Sequence, residues 1–487
     1  MSLRLMLSVS VLASLLSACA VNLPTPTSAQ LDPKAQAWQT SLQSPLQISQ
    51  QSSPPLAERL AEQAQWWQAW NDPVLSQLQA AAQQENPTLQ LAQARIREAR
   101  AKAYSAKAYL WPTLTGTAAG TRSKNELAPP GAISKAGSLG LDASWEIDLW
   151  GGVRAAEQGL LANLAARETE WHDARASMAA EVANAYVTYR AYQTMGAIVA
   201  QDLASRDRSL KLTQDKESVG LASPVDVALL DASSADAQAQ LAEMHEGQAL
   251  AIKALVALTG LEESEVRLQL AALDPAAQTM PQAVGFTVAS LPAEVIAQRP
   301  DVRGAAEQVK MAAADVGVAE VARLPSLSLF GAISIGRQQN DGVTVSGNSW
   351  SFGPTIKLPI FNAGRLKADQ DAAQARYDQA LAAYQQRVRL AVREVEENMV
   401  RLTSSAQRVA ATQRAVAGYQ KQLASNEAMW QAGAASLLDL EVSRRFLLGT
   451  QTRLINLQRE QLANWIALYK SVGGEWPLDD TELVANK

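Results

Sequence analysis

Reactive side chains are scarce in this chain. Its 487 residues include one cysteine, Cys19, and two histidines, His172 and His245. Cysteine–histidine nucleophiles, histidine-rich metal clusters and internal disulfides all lack parts. Three carboxylates, Asp142, Glu146 and Asp148, sit at even spacings. In an extended strand such residues share a face, where a pair could work as acid and base. No nucleophile, phosphate loop or ligand cluster accompanies them. They read as water-facing residues of a polar strand face, and the chain reads as a non-enzyme with no metal or cofactor. The alternative, a lipoprotein enzyme, rests on those carboxylates alone.

Cys19 is the exception. Arg4 supplies a positive n-region, Leu5–Leu16 an apolar h-region, and Leu16-Ser17-Ala18 leads directly into Cys19. Small residues end a signal peptide. Their position before the sole cysteine matches a bacterial lipobox, which implies cleavage after Ala18 and lipidation of Cys19. Ala20, in place of Asp, implies sorting to the outer membrane. Acyl chains contribute about 0.8 kcal/mol per buried CH₂, so several together anchor firmly. Residues 1–18 are thus expected to be a signal peptide. Residues 19–55, rich in Pro, Ser, Thr and Gln, are expected to be a lipidated tether.

The elements behind these residues follow from composition and repetition. Hydrophobic residues make up 47% of the chain and mean hydropathy is −0.11, which excludes a polytopic helical membrane protein. Past the N-terminus no apolar run reaches the ~18 residues of a spanning helix. A net charge of −5 argues against nucleic acid as partner. Abundant Ala and Gln with few Phe suggest long, close-packed helices.

A domain-sized repeat organises the chain. Asn86-Pro87 recurs as Arg299-Pro300, Trp111-Pro112 as Leu324-Pro325, Gly220 as Gly433 and Gly260 as Gly473, each 213 positions apart. Asp148–Arg154 recurs as Pro359–Arg365, two positions short of that offset. The expected boundaries are 56–260 for the first repeat and 299–473 for the second. Equatorial segments are expected at 261–298 between them and at 474–487 after them.

In each repeat a proline opens a helix (Pro87–Leu110, Pro300–Leu324) and a second proline stops it. Strand-like alternation follows. Leu139 to Leu149 alternate apolar and polar, as do Ser326 to Ile335 and Trp350 to Ile360, in segments of about ten residues with Gly/Ser/Asn-rich loops at 123–137 and 338–348. Such lengths cross a bilayer at a tilt. Trp145, Ile147, Trp350 and Ile356 fall on the apolar, lipid-facing side. Asp142, Glu146 and Lys357 fall on the polar side, expected to line a barrel lumen. A helix of about 65 residues then runs from Gly152 and from Gly364. It turns at Gly220–Pro224 and at Gly433–Ser436, and a return helix ends at Gly260 or Gly473. Leu440, Leu447 and Leu454 are seven apart, a coiled-coil seam spacing.

Four strands cannot close a barrel, and open strand edges are not tolerated in lipid. Two copies give eight strands and a filled interior; three give twelve and a lumen. The smallest satisfactory assembly is a homotrimer.

The sequence resembles the TolC family of outer-membrane channels, in its lipoprotein branch that serves resistance-nodulation-division efflux pumps. The carriers are Trp66-Trp67, Trp70-Asn71-Asp72-Pro73, Asn86-Pro87, Leu110-Trp111-Pro112, Arg299-Pro300-Asp301-Val302, Phe361-Asn362-Ala363-Gly364-Arg365 and Val472-Gly473-Gly474. The resemblance implies a mainly α fold with a β-barrel segment: a trimer with a twelve-stranded outer-membrane barrel continued by a twelve-helix periplasmic coiled-coil tunnel. It implies a periplasmic membrane-fusion adaptor and an inner-membrane pump as partners. The implied function is a passive exit duct for drugs and other toxic small molecules. It further implies a gate beside the second hairpin, with Leu, Asp and Arg at spacings of four and three. Those positions are Leu438, Val442 and Arg445, so the aspartate is missing and an ion-paired latch is not expected in that form. Two other readings use the same elements: an adaptor or scaffold lipoprotein with coiled-coil hairpins, and a type I protein-secretion duct of the same fold. Duplicated strand pairs count against the first, the lipobox and motifs against the second.

Overall fold

The computed structural model describes Pro24 and residues 66–124, 133–272, 279–282, 292–340 and 343–474. Cys19, the signal peptide, the tether apart from Pro24 and the tail after Gly474 lie outside the described residues.

The elements in chain order are α1 (Trp66–Ala69), α2 (Pro73–Glu85), α3 (Pro87–Ala108), β1 (Thr113–Lys124), β2 (Ile133–Ile147), α4 (Gly152–Ser218) and α5 (Pro224–Thr259). Then come α6 (Glu263–Ala271), α7 (Pro292–Gln298), α8 (Pro300–Val321), β3 (Ser326–Asn340), β4 (Val343–Lys357), α9 (Arg365–Gln431) and α10 (Leu437–Ser471). Helices α3 and α8 both have 22 residues, and α4 and α9 both have 67. At 1.5 Å per residue the latter are about 100 Å long. Gly151 and Gly364, at φ 82° and 83°, precede them. These glycines lie 213 positions apart, so Arg154 and Arg365 are not equivalent. The turn after β4 is three residues longer than the turn after β2, so the strand ends lie 210 positions apart and the helix starts 213, and the 211-position motif match falls between the two registers.

The strands are longer than the sequence indicates, with 12 residues in β1 and 15 in each of the others. Pairing carries them into both ends of the Gly- and Ser-rich stretches expected to be loops, because small residues still supply ladder hydrogen bonds when a partner strand is present. The sheet order is β1-β2-β3-β4, antiparallel throughout. The central β2–β3 pair joins the two repeats, and β1 and β4 are its edges.

The described residues divide into two compact units, each built from pieces of both repeats. One comprises 93–169 and 303–387. It holds the sheet and a helical layer of small residues, with Ala103, Ala106, Ala155, Ala162 and Ala314 buried. Gly159 faces Ala314 and Gly304 faces the Thr169 hydroxyl so closely that a Cβ would fall within 3.1 Å and 2.7 Å of them. The alanine-rich composition thus serves close helix approach.

The second unit comprises the described parts of 33–92, 170–302 and 388–487. Its core gathers Trp66, Trp67, Trp70, Leu75, Leu78, Tyr186, Leu255 and Tyr469. Trp66 stacks on Tyr469 with ring centroids 5.0 Å apart. Asp72 caps α2 through Val74 N–H and Leu75 N–H and also accepts from the Tyr186 hydroxyl at 2.5 Å. One carboxylate therefore starts a helix and pins it to α4. Burial and that carboxylate together push the Tyr186 phenol well above its ordinary range.

Candidate functional site: the two-faced sheet and the hairpin tips

Directly opposed residues in an antiparallel pair share a face. Asp142 lies opposite Thr115 and Ala332. Glu146 lies opposite Ser328, itself opposite Thr355, two residues from Lys357. Asp142, Glu146 and Lys357 therefore share one face. Hydroxyls connect across it: Thr113 with Ser144 and Ser334 with Ser349, each at 2.9 Å.

The other face carries Leu114, Leu139, Leu141, Trp145, Ile147, Ile333, Ile335, Trp350, Phe352 and Ile356. Trp350 is 81% exposed, Phe352 73% and Ile356 73%. From Leu139 to Ile147 this apolar band runs nine residues, about 27 Å along the strand and about 21 Å of height at barrel tilt.

Two residues differ from expectation. Asp148 lies beyond the end of β2, where its carboxylate accepts from Val153 N–H at 3.0 Å and Arg154 N–H at 3.2 Å. It caps the first turn of α4, which is where the helix dipole favours an anion, and does not belong to the polar strand face. Trp145 is half-buried and donates its indole N–H to the Leu110 carbonyl at 3.0 Å. It ties the end of α3 to the sheet.

The hairpin tips repeat each other closely. Gly220 and Gly433 take φ of 76° and 77°, the left-handed conformation that closes a helix. Leu221 N–H returns to the Lys216 carbonyl and Ala434 N–H to that of Met429, both at 2.8 Å. Ser223 caps α5, with Pro224 in its first turn. Ser436 caps α10 in a reciprocal box with Asp439. Lys216 lies over the Trp430 ring at 5.4 Å, linking the two hairpins. Val219, Leu221 and Val225 are exposed at the first tip, and Leu438 at the second.

Leu438, Val442 and Arg445 lie four and three apart on one stripe of α10. Leu438 and Arg445 are exposed and Val442 is half-buried. Arg445 makes no ion pair among the described residues. The ionic chemistry is one position away. Arg444 is 2% exposed and donates to Glu441 at 2.9 Å, Ser209 at 2.9 Å and Ser205 at 3.1 Å, with Glu427 at 3.7 Å. Glu441, also buried, accepts from Ser233 at 2.6 Å and faces Arg206 at 3.4 Å. Arg206 in turn holds Asp202 at 2.6 Å.

Charges thus alternate through a chain that is buried at Arg206, Glu441 and Arg444, is half-exposed at Glu427, and joins α4, α5, α9 and α10. Burial raises the Asp202 carboxyl, and Arg206 opposes that rise. The network fixes the rotation of α10, and with it the direction of the Leu438 stripe. Sequence reasoning passed over it. Its signals were Glu441 and Arg444 three apart on one helix, and Ser205 and Ser209 four apart on another.

The family described as "Outer membrane efflux protein" matches residues 78–261 and again 291–474, each boundary displaced by the same 213 positions. The chain is 30% identical over 416 residues to the solvent efflux pump outer membrane protein SrpC of Pseudomonas putida, covering 84% of this chain and 86% of that one. It is 29% identical to the pyoverdine export outer membrane protein OpmQ of Pseudomonas aeruginosa (85% and 88% covered). It is 28% identical to the cation efflux system protein CusC of Escherichia coli (85% and 89% covered). Among solved structures, the outer-membrane channel OprN superposes with a TM-score of 0.78 at 25% identity, over 93% of this chain and 99% of that one.

Proposed function

We propose, from the premise that the chain belongs to the outer membrane efflux protein family, that it is the passive exit duct of a tripartite efflux system. It is an outer-membrane efflux channel of TolC-like fold. Its relatives are channel and transport proteins. In the proposed reading the chain itself performs no covalent chemistry, and a partner pump supplies the driving force.

The observation that carries the reading is a sheet with two unlike faces, one of them apolar and uncovered. A water-soluble sheet buries its apolar face; this one exposes Trp350, Phe352 and Ile356. In lipid that exposure is favourable, and the face of Asp142, Glu146 and Lys357 lines water. The edges β1 and β4 then need partners, since unsatisfied backbone groups in hydrocarbon cost several kcal/mol each. Three copies pairing β1 of one with β4 of the next close twelve strands.

The tips at Gly220–Pro224 and Gly433–Ser436 each follow a 67-residue helix that begins at the sheet. They are the proposed contact with a periplasmic adaptor, which links the duct to an inner-membrane resistance-nodulation-division pump. Three copies of α10 bring Leu438 rings together as a steric gate, with Val442 and Arg445 behind them. Cys19 anchors the assembly to outer-membrane lipid.

Relatives of nearly equal identity are named for solvent, pyoverdine and cation efflux. Cargo that varies at constant similarity points to selection in the pump, with drugs and other small toxic molecules passing a permissive duct. Two measurements test the reading. Purified protein should form heat-stable trimers and conduct ions in planar bilayers, and deletion of the gene should sensitise cells to several unrelated toxic compounds. Monomers without conductance would overturn the duct. Conductance with loss of only a secreted protein would overturn the small-molecule cargo.

A further inference from the structure

Five cations lie on the described strands, and four of them cluster. Arg122, Lys124, Lys135 and Arg337 occupy the strand ends farthest from the helices; only Lys357 lies at the helix end. Arg122 sits directly opposite Lys135, and Arg337 opposite Gly137, two residues along from Lys135. The register therefore puts all four on the face that carries Leu139, Leu141, Ile333 and Ile335. That face contains no carboxylate among the described strand residues, although the chain as a whole has a net charge of −5. The strand acids Asp142 and Glu146 are on the opposite face.

Arg337 lines a shallow groove of about 730 Å³ together with Ala118, Gly120, Gly137, Leu139 and Ile335, and the register places Arg122 and Lys135 two positions beyond Gly120 and Gly137 on the same face. Gly120 and Gly137 are directly opposed, so bare backbone forms the floor. A Cβ on Gly120 would meet nothing within 4 Å. One side of the groove continues into the apolar band, and the other ends in guanidinium and ammonium groups. An amphiphile with an anionic head matches that polarity, and the side-chain-free floor leaves room for a sugar ring.

We propose that this groove binds the phosphorylated sugar headgroup of an outer-leaflet glycolipid. The acyl chains lie along Leu139 and Ile335, and the phosphates lie among Arg122, Lys135 and Arg337. Arginine suits phosphate because its planar fork donates two parallel hydrogen bonds. The inference rests on the reading that this face meets lipid and that the strand ends away from the helices reach the outer leaflet.

The test compares the full-length protein with the triple variant Arg122→Gln, Lys135→Gln, Arg337→Gln. Native mass spectrometry from neutral detergent counts bound bis-phosphorylated lipid A, the same lipid after dephosphorylation, and the effect of excess inorganic phosphate. Each cation near an anionic lipid surface contributes about fivefold in affinity, so the triple variant should lose on the order of a hundredfold for the phosphorylated lipid. It should bind the dephosphorylated lipid as the parent does, and keep parental conductance as proof of folding.

Equal binding of the two lipids by the parent, or an unchanged triple variant, would overturn the proposal. Displacement by inorganic phosphate would replace the lipid with a soluble anion as occupant. A nitroxide on Ile335→Cys separates this failure from failure of the face assignment. A label reached by nickel chelate in preference to oxygen sits in water and removes both readings. A label in lipid without phosphate discrimination removes only this one.

Discussion

Asn86 donates its side-chain amide to the backbone carbonyl of Leu258 at 2.8 Å, tying the residue before α3 to the end of α5. One repeat later, 213 positions on for both partners, Arg299 donates to the carbonyl of Ser471 at 2.7 Å. Asparagine and arginine share neither shape nor charge, yet each satisfies a carbonyl in the last turn of a return helix, where no helical N–H remains to do so. Gly260 and Gly473, both at positive φ, lie against Glu85 and against Gln298 and Arg299 at the same junctions.

The two ties should differ in strength. Asn86→Ala removes one neutral hydrogen bond, about 1 kcal/mol. Arg299→Ala also removes the charge-assisted hydrogen bonds to Asp301 at 2.8 Å and to the half-exposed Glu394 at 2.7 Å, and should cost about 3 kcal/mol. Thermal dissociation of the purified assembly should rank them in that order, and an equal loss would refute it.

The buried ion network should behave as a coupled unit. Arg444→Met removes the 2.9 Å partner of the buried Glu441 and leaves it Arg206 at 3.4 Å as its cation, which should cost about 2–3 kcal/mol. Adding Glu441→Gln should restore part of that loss, with a coupling of about 1–3 kcal/mol in a double-mutant cycle. Strictly additive losses would mean that the 2.9 Å pair contributes no mutual stabilisation.

Leu438→Ala should open the gate more than Arg445→Ala. Three leucines in a constriction block and dewet it, whereas three like charges repel unless solvated. The expected readouts are higher single-channel conductance and entry of large antibiotics into cells. Unchanged conductance in both variants would leave these residues with no part in gating.

Adjacent residues on β2 should answer oppositely to the same change. Leu141→Arg puts a charge on the apolar face and should cost about 2–4 kcal/mol near the bilayer midplane. Asp142→Arg, one position on, should be tolerated. Yields of heat-stable assembly decide between them, and the reverse order would invert the face assignment.

Mature protein should begin at an acylated Cys19, seen by mass spectrometry of the N-terminal peptide. Cleavage elsewhere, or a free thiol, would refute the anchor. Cys19→Ser with an ordinary signal peptide should still fold, because no other cysteine exists to pair with.

Most of the architecture was legible because it rests on local periodicity. Period-two alternation separated Leu141 from Asp142, and prolines and glycines punctuated the helices. Strand ends were not legible, because stretches such as Gly347 and Ser349 have weak strand preference until a neighbour pairs with them. Asp148 was misplaced because a cap and a strand residue look alike in sequence when they are two positions apart. Arg444 was missed in favour of Arg445 because one position on a helix is a 100° turn. Only the packing of α4 and α5 shows which of the two arginines turns inward.

The β2–β3 pairing has a consequence for ancestry. It makes the seam between repeats the same kind of seam as the one proposed between subunits, an antiparallel strand contact. A chain of one repeat would present one hairpin with two open edges, and six such chains would close the ring with true sixfold symmetry. Joining the repeats in pairs relaxes that symmetry. Each half could then diverge, Pro224 in one and Leu437 in the other, Asn86 in one and Arg299 in the other, while the ring stayed closed. Severing the chain between α6 and α7 and expressing the halves together would return the molecule to that older, six-piece arithmetic.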